Sequence, residues 1–197
     1  MDIVFFNQII FDLPQLFQFV SRRPTLGAPQ EGHIAFNLWK THGETTVRLS
    51  SDYGVFRVNI PCKAPEWQLL SLEQVCTSSL PPLSTLEYLY ILEQGGQLWS
   101  DDSDDENTLW LDLLRPFVAV KNLYLPEQFV PRIVSALQEL VGERTTEVLP
   151  TLGNIYLEGF QQGIPLHKGI EKFVAARQLT SYPVAVSHWG CRLLYNF

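Results

Sequence analysis

Apolar and polar positions alternate along this chain with two different periods, and the switch between them recurs. One six-residue pattern appears as Leu86-x-x-Leu89-x-Ile91, Val120-x-x-Leu123-x-Leu125 and Leu152-x-x-Ile155-x-Leu157, with starts 34 and 32 residues apart. In extended backbone, positions two apart share a face, so each copy predicts a short strand with its aliphatics turned inward. Leu-Pro steps at Leu80-Pro81-Pro82-Leu83 and Leu149-Pro150-Thr151-Leu152 lead into two of them, because the residue before proline is held out of the helical region. Between strands the period becomes that of a helix. Phe129, Val130, Ile133, Val134, Leu137, Leu140 and Val141 form one stripe, with Gly142 placed to end it. Trp110, Leu113, Leu114 and Phe117 form another, and Ile170, Phe173, Val174 and Arg177 a third.

Upstream, Ile3 to Phe6 reads as an opening strand, and Asp12 as the cap of a helix with Pro14 in its first turn and Leu13, Leu16, Phe17 and Val20 as its stripe. Looser strands are predicted at His33 to Trp39, Thr46 to Leu49 and Phe56 to Ile60, a helix from Pro65 to Cys76, and a last strand from Pro183 to Trp189. A unit of about 30 residues with one strand and one helix cannot bury its apolar face alone, so such units stack laterally. The expected fold is therefore α/β, a leucine-rich-repeat-like solenoid over residues 1–197 with parallel strands on the concave side and helices on the convex side. A doubly wound parallel sheet is the rival. It would call for a glycine-rich phosphate turn, and the Gly95-Gly96 pair fits no such motif.

The run Leu109-Trp110-Leu111-Asp112-Leu113-Leu114-Arg115-Pro116-Phe117-Val118-Ala119-Val120-Lys121-Asn122-Leu123-Tyr124-Leu125 resembles a large group of fungal F-box-like proteins with degenerate leucine-rich repeats. Pro131-Arg132-Ile133-Val134, Ala136-Leu137-Gln138-Glu139-Leu140-Val141, Thr145-Thr146-Glu147-Val148-Leu149-Pro150, Lys172-Phe173-Val174-Ala175-Ala176-Arg177-Gln178 and Ser71-Leu72-Glu73-Gln74-Val75-Cys76 are similar to the same group. Its members carry an F-box that docks on the Skp1-type adaptor of a cullin ubiquitin ligase, followed by repeats that select the substrate. No segment here matches an F-box, so the resemblance covers the repeat half. It implies a protein-binding module, with a Skp1-type adaptor as partner only where an F-box lies upstream. The alternative is a stand-alone interaction protein with no role in ubiquitin transfer. If upstream repeats are missing, the first strand and the flank built from Ile3, Phe5, Leu16 and Phe17 would be uncapped, and self-association through that end is expected.

Composition adjusts this picture in three places. With 46% hydrophobic and 18% charged residues the chain is one that folds. A net charge of −7 and a pI near 5.0 argue against nucleic acid and anionic membrane surfaces as partners. The basic residues Lys168, Lys172 and Arg177 read as the solvated face and last turn of a helix. Cys62, Cys76 and Cys191 are odd in number and widely spaced, which predicts free thiols and an intracellular, cytoplasmic or nuclear setting. Polar residues interrupt the apolar opening, so neither a signal peptide nor a membrane span is expected.

Candidate chemistry centres on the residue between the last two aliphatics of each strand, which points to the opposite, concave face. It is tyrosine each time: Tyr90, Tyr124 and Tyr156. Tyr88, Asn122 and Asn154 lie two residues earlier on the same face. An aromatic ladder of this kind suits recognition, and it equally suits the steadying of neighbouring strands. Asp101, Ser103, Asp105 and Asp112 have calcium-loop spacing, but Glu106 stands where the tight loop needs glycine. That stretch reads as a solvated loop before a helix, with Ser103 as an acidophilic kinase site. His188 and Cys191 supply only two of the four ligands of a structural zinc site, and Trp189 between them reads as a core plug. His33 and His42 have no partner that the sequence can place. Signatures of serine hydrolases, zinc proteases and P-loops are absent. Binding without catalysis, cofactor or metal is the expectation.

Overall fold

The computed structural model describes residues 2–4, 28–38, 43–62, 67–78, 80, 83–94, 104–140, 142–158 and 168–190. They form β1 (Asp2–Val4), β2 (Glu31–Leu38), β3 (Gly43–Ser51), β4 (Gly54–Cys62), α1 (Trp67–Ser78), β5 (Tyr88–Gln94), α2 (Asp104–Leu114), β6 (Asn122–Pro126), α3 (Val130–Gln138), β7 (Asn154–Glu158), α4 (Lys168–Gln178) and β8 (Ala185–Trp189). Short 3-10 turns sit at Leu83–Thr85, Glu127–Phe129 and Gly142–Thr146. The strands make one mixed sheet in the order β1-β4-β3-β2-β5-β6-β7-β8. The fold is mixed α/β on a single open sheet.

From β2 through β8 the five strands β2, β5, β6, β7 and β8 run parallel. Each new strand starts with the same backbone step. Tyr88 N donates to Gln30 O, Asn122 N to Glu87 O, Asn154 N to Lys121 O and Ala185 N to Gly153 O, at 2.8–3.1 Å. Thr85 and Thr151 brace two of these entries by donating their hydroxyls to Pro29 O and Val118 O.

The first part of the sheet departs from the all-parallel expectation. β2, β3 and β4 are an antiparallel meander, with β1 returning parallel to β4. The reason is connection length: a parallel crossover takes a dozen or more residues, whereas Asp52-Tyr53 alone link Ser51 to Gly54. Gly54 has φ 144, a conformation only glycine adopts easily.

Alternation decides which face meets the helices. Val47 and Leu49 of β3, Phe56, Val58 and Ile60 of β4, and Leu89, Ile91, Leu123, Leu125, Ile155 and Leu157 of the parallel strands are all buried in one core. Their partners come from helices packed side by side, α1 on α2, α2 on α3 and α3 on α4. The predicted Phe129 stripe begins as a 3-10 turn, and α3 ends at Gln138, ahead of Gly142, which instead opens another 3-10 turn. Arg177 corrects its reading as a solvated residue: it is 0% exposed, its stem following the apolar stripe of α4 into the core. Ile3 lies in β1, while Phe5 and Phe6, the Asp12 helix, Trp39 and Gly95-Gly96 lie outside the described residues.

α1 also secures the meander. Buried Gln68 donates from Nε2 to Asn37 O at 2.9 Å and to Glu44 O at 3.3 Å, bridging β2 and β3. A Cβ on Gly43 would collide with that nitrogen. Gly43→Ala is therefore expected to displace Gln68 and destabilise the protein by about 1–3 kcal/mol through two lost buried hydrogen bonds. Urea unfolding measures it, and a change within error would show that Gln68 reorients without loss.

Candidate functional site

The parallel register puts the three tyrosines in one row. Tyr90 is the Cα partner of Tyr124, and Tyr124 of Tyr156. All three point away from the helices, because their neighbours Leu89, Ile91, Leu123, Leu125, Ile155 and Leu157 fill the core. The rings stack nearly parallel, at 4.2 Å and 12° for Tyr90–Tyr124 and 4.5 Å and 9° for Tyr124–Tyr156. Ring spacing thus follows the spacing of the strands.

Two members of this constellation were not predicted. His33 of β2 pairs in register with Tyr90 and stacks on it at 4.6 Å and 9°. The only sequence signal was its place in an alternating strand, because its partner is supplied by a residue 57 positions away. Trp189 is not a core plug. It is half-buried on the tyrosine side of β8, with its indole 5.1 Å from Tyr124, edge to face, and 5.9 Å from Tyr90.

The second predicted row runs beside the first. Glu31, Tyr88, Asn122, Asn154 and Ala185 are successive Cα partners. Asn154 donates its amide to the Asn122 side-chain carbonyl at 3.0 Å, and Tyr88 is 40% exposed. The structure therefore brings all six predicted residues to one face.

Stacking fixes what this face can do. Both ring faces of Tyr90 and of Tyr124 are covered by neighbouring rings, so a ligand meets ring edges and phenol groups there. Burial, reinforced by the adjacent Tyr124, pushes the Tyr90 phenol up from its ordinary value, and burial does the same to Tyr124. Both hydroxyls stay protonated at neutral pH and can donate. His33 itself is 4% exposed, and its Nε2 lies 3.0 Å from Glu31 Oε1. The hydrogen bond to His33 holds the Glu31 carboxyl below its usual value, with the nearby charges of His33 and Arg48 acting in the same direction. A depressed carboxylate contributes stability that is complete above its unfolded value and is lost as pH falls through the folded one. The Tm advantage of the wild type over Glu31→Gln should accordingly hold at neutral pH and shrink below about pH 4.5. Equal pH profiles for the two proteins would refute the coupling.

The remaining candidates do not assemble into a site. Among the described residues no cluster of His, Cys, Asp and Glu could hold a metal ion. His188 is exposed, and Cys191, His42, Asp101 and Ser103 lie outside the described residues. Cys62 and Cys76 are free and buried, and burial pushes the Cys62 thiol up to about 11 and Cys76 higher still, which makes both poor nucleophiles. Among the described residues no helix is long and apolar enough to cross a membrane.

The fold and this face define an α/β protein with an ordered aromatic row on an open sheet. No protein-family model matches the chain, and neither a curated protein nor a solved structure matches it significantly.

Proposed function

We propose that this chain is a non-catalytic protein-binding module, built as a leucine-rich-repeat-like solenoid whose sheet face carries the binding site. The observation behind the reading is the row Tyr90, Tyr124 and Tyr156, one ring per strand and in register on the side away from the helices. Tyrosine combines a rigid apolar body with a polar tip and loses little conformational entropy on binding. The Asn122–Asn154 pair beside it adds amide donors and acceptors. The recurrent entry step of the parallel strands supports the repeat architecture. The F-box-like resemblance makes substrate recognition for a ubiquitin ligase the leading role, with a Skp1-type adaptor as partner where an F-box is supplied. A stand-alone interaction protein with no role in ubiquitin transfer is the second reading.

Phenylalanine at all three tyrosines keeps the stack and removes only the hydroxyls. Partner captured by a photo-crosslinker at Tyr88 should bind this triple variant at least tenfold more weakly, while Tm stays nearly unchanged. Unaltered affinity would reduce the row to a structural brace. Recovery of a Skp1-type adaptor with this chain would favour the ligase role and count against the reading that the chain holds only the repeat half.

A further inference from the structure

The aromatic row stops one strand short. In register it runs His33, Tyr90, Tyr124, Tyr156, and the next Cα partner, on β8, is Ser187. Among the described residues Tyr156 stacks on Tyr124 alone, and its other side faces Ser187, its exposed register partner on β8. Neighbouring strands lie about 4.8 Å apart, so the space above Ser187 holds one flat group. Glu158 stands at its rim, two residues beyond Tyr156 on the same face and in register with Trp189. This carboxylate is half-buried, and among the described residues it makes neither a hydrogen bond nor an ion pair.

We infer that this slot, walled by Tyr156, floored by Ser187 and rimmed by Glu158, receives the guanidinium of an arginine from the bound partner. A guanidinium is planar, stacks on a tyrosine face and donates in pairs to a carboxylate. An ammonium is compact and leaves the flat layer unfilled. A phenyl ring fills the layer but covers the Glu158 carboxylate without pairing it, which costs free energy. The net charge of −7 adds long-range attraction for a cationic segment. The inference rests on the sheet face being the binding surface.

N-acetyl-arginine amide followed by backbone amide NMR is the test. Saturable shifts are expected at Tyr156, Glu158 and Ser187 at tens of millimolar probe. Glu158→Gln should weaken binding about fivefold or more, and N-acetyl-lysine amide should bind weaker by a similar factor. Ser187→Tyr places a fifth ring in the slot and should abolish binding with Tm unchanged or raised. If that variant misfolds, Glu158→Gln and the lysine probe decide. No shifts at these amides, equal binding of lysine amide or phenylalanine amide, or binding that survives Ser187→Tyr overturns the inference. A partner lost in the triple phenylalanine variant but indifferent to Glu158→Gln and Ser187→Tyr leaves the face reading intact and removes the slot. Arginine binding together with full partner affinity in the phenylalanine variant does the reverse.

Discussion

Trp110→Ala is expected to destabilise the protein by about 3–5 kcal/mol, the cost of emptying a fully buried aromatic site. Trp110 is 0% exposed. Its ring lies 5.7 Å from Phe36 of β2 and 5.8 Å from Phe129 in the turn before α3, and those two rings are 5.0 Å apart. The three rings tie the meander to the helical layer, so the cavity cannot collapse without moving one or the other. The indole Nε1 also donates to Glu106 Oε1 at 3.1 Å. Glu106 keeps its main partner, Arg132, whose Nη1 reaches both carboxylate oxygens at 2.6 and 2.8 Å, so the ion pair between α2 and α3 survives the substitution. A Tm drop of roughly 10 °C follows for a chain of this size. Trp110→Phe refills most of the volume and should cost clearly less. Urea unfolding of both variants checks the order, and equal losses would locate the stabilisation in the Glu106 hydrogen bond instead of the packing.

Arg177→Met should cost about 3 kcal/mol although it conserves volume and removes a buried charge, because it strands hydrogen-bond acceptors. Arg177 donates to Thr145 O at 3.2 Å, Leu149 O at 2.8 Å and Leu152 O at 3.4 Å. Burial pulls its pKa down from the ordinary value, and among the described residues no carboxylate pairs with it. Backbone carbonyls do the solvating. They belong to the loop that feeds β7, where Leu149 has φ 50, the left-handed region that costs a side-chain-bearing residue about 1 kcal/mol or more. Holding that turn sets the entry of β7 and therefore the position of Tyr156. Arg177→Met should accordingly loosen amide exchange across residues 145–157 more than elsewhere, while Arg177→Lys, with a point charge instead of a fork, recovers part of the loss. Stability equal to wild type would mean that water replaces the guanidinium at the three carbonyls.

The aromatic row was legible before any coordinates because two-residue alternation is a property of the backbone itself. Once Leu89-Tyr90-Ile91, Leu123-Tyr124-Leu125 and Ile155-Tyr156-Leu157 are strands with their aliphatics buried, each tyrosine must face the other way, and a one-residue slip would bury it. The same local logic placed the helices at Trp67–Ser78, Asp104–Leu114, Val130–Gln138 and Lys168–Gln178, close to their apolar stripes. The hairpin at Asp52-Tyr53-Gly54 was also written locally, since two residues cannot carry a parallel crossover, but the dominant strand-helix period masked it.

Tertiary structure alone decided the rest. The sequence determined which residues alternate and therefore which face each one takes. The repeat also implied that β5, β6 and β7 lie side by side, but it did not place β2 against β5 or say where Trp189 of β8 would reach, because such long-range choices are set by packing of the whole core and not by any local preference. That choice placed His33 beside Tyr90, brought Trp189 across to Tyr124, and left Tyr156 next to Ser187 and not beside a further ring in register. It also turned Arg177, by type a surface residue, into a buried clamp, because only the assembled loop supplies the three carbonyls that solvate its charge.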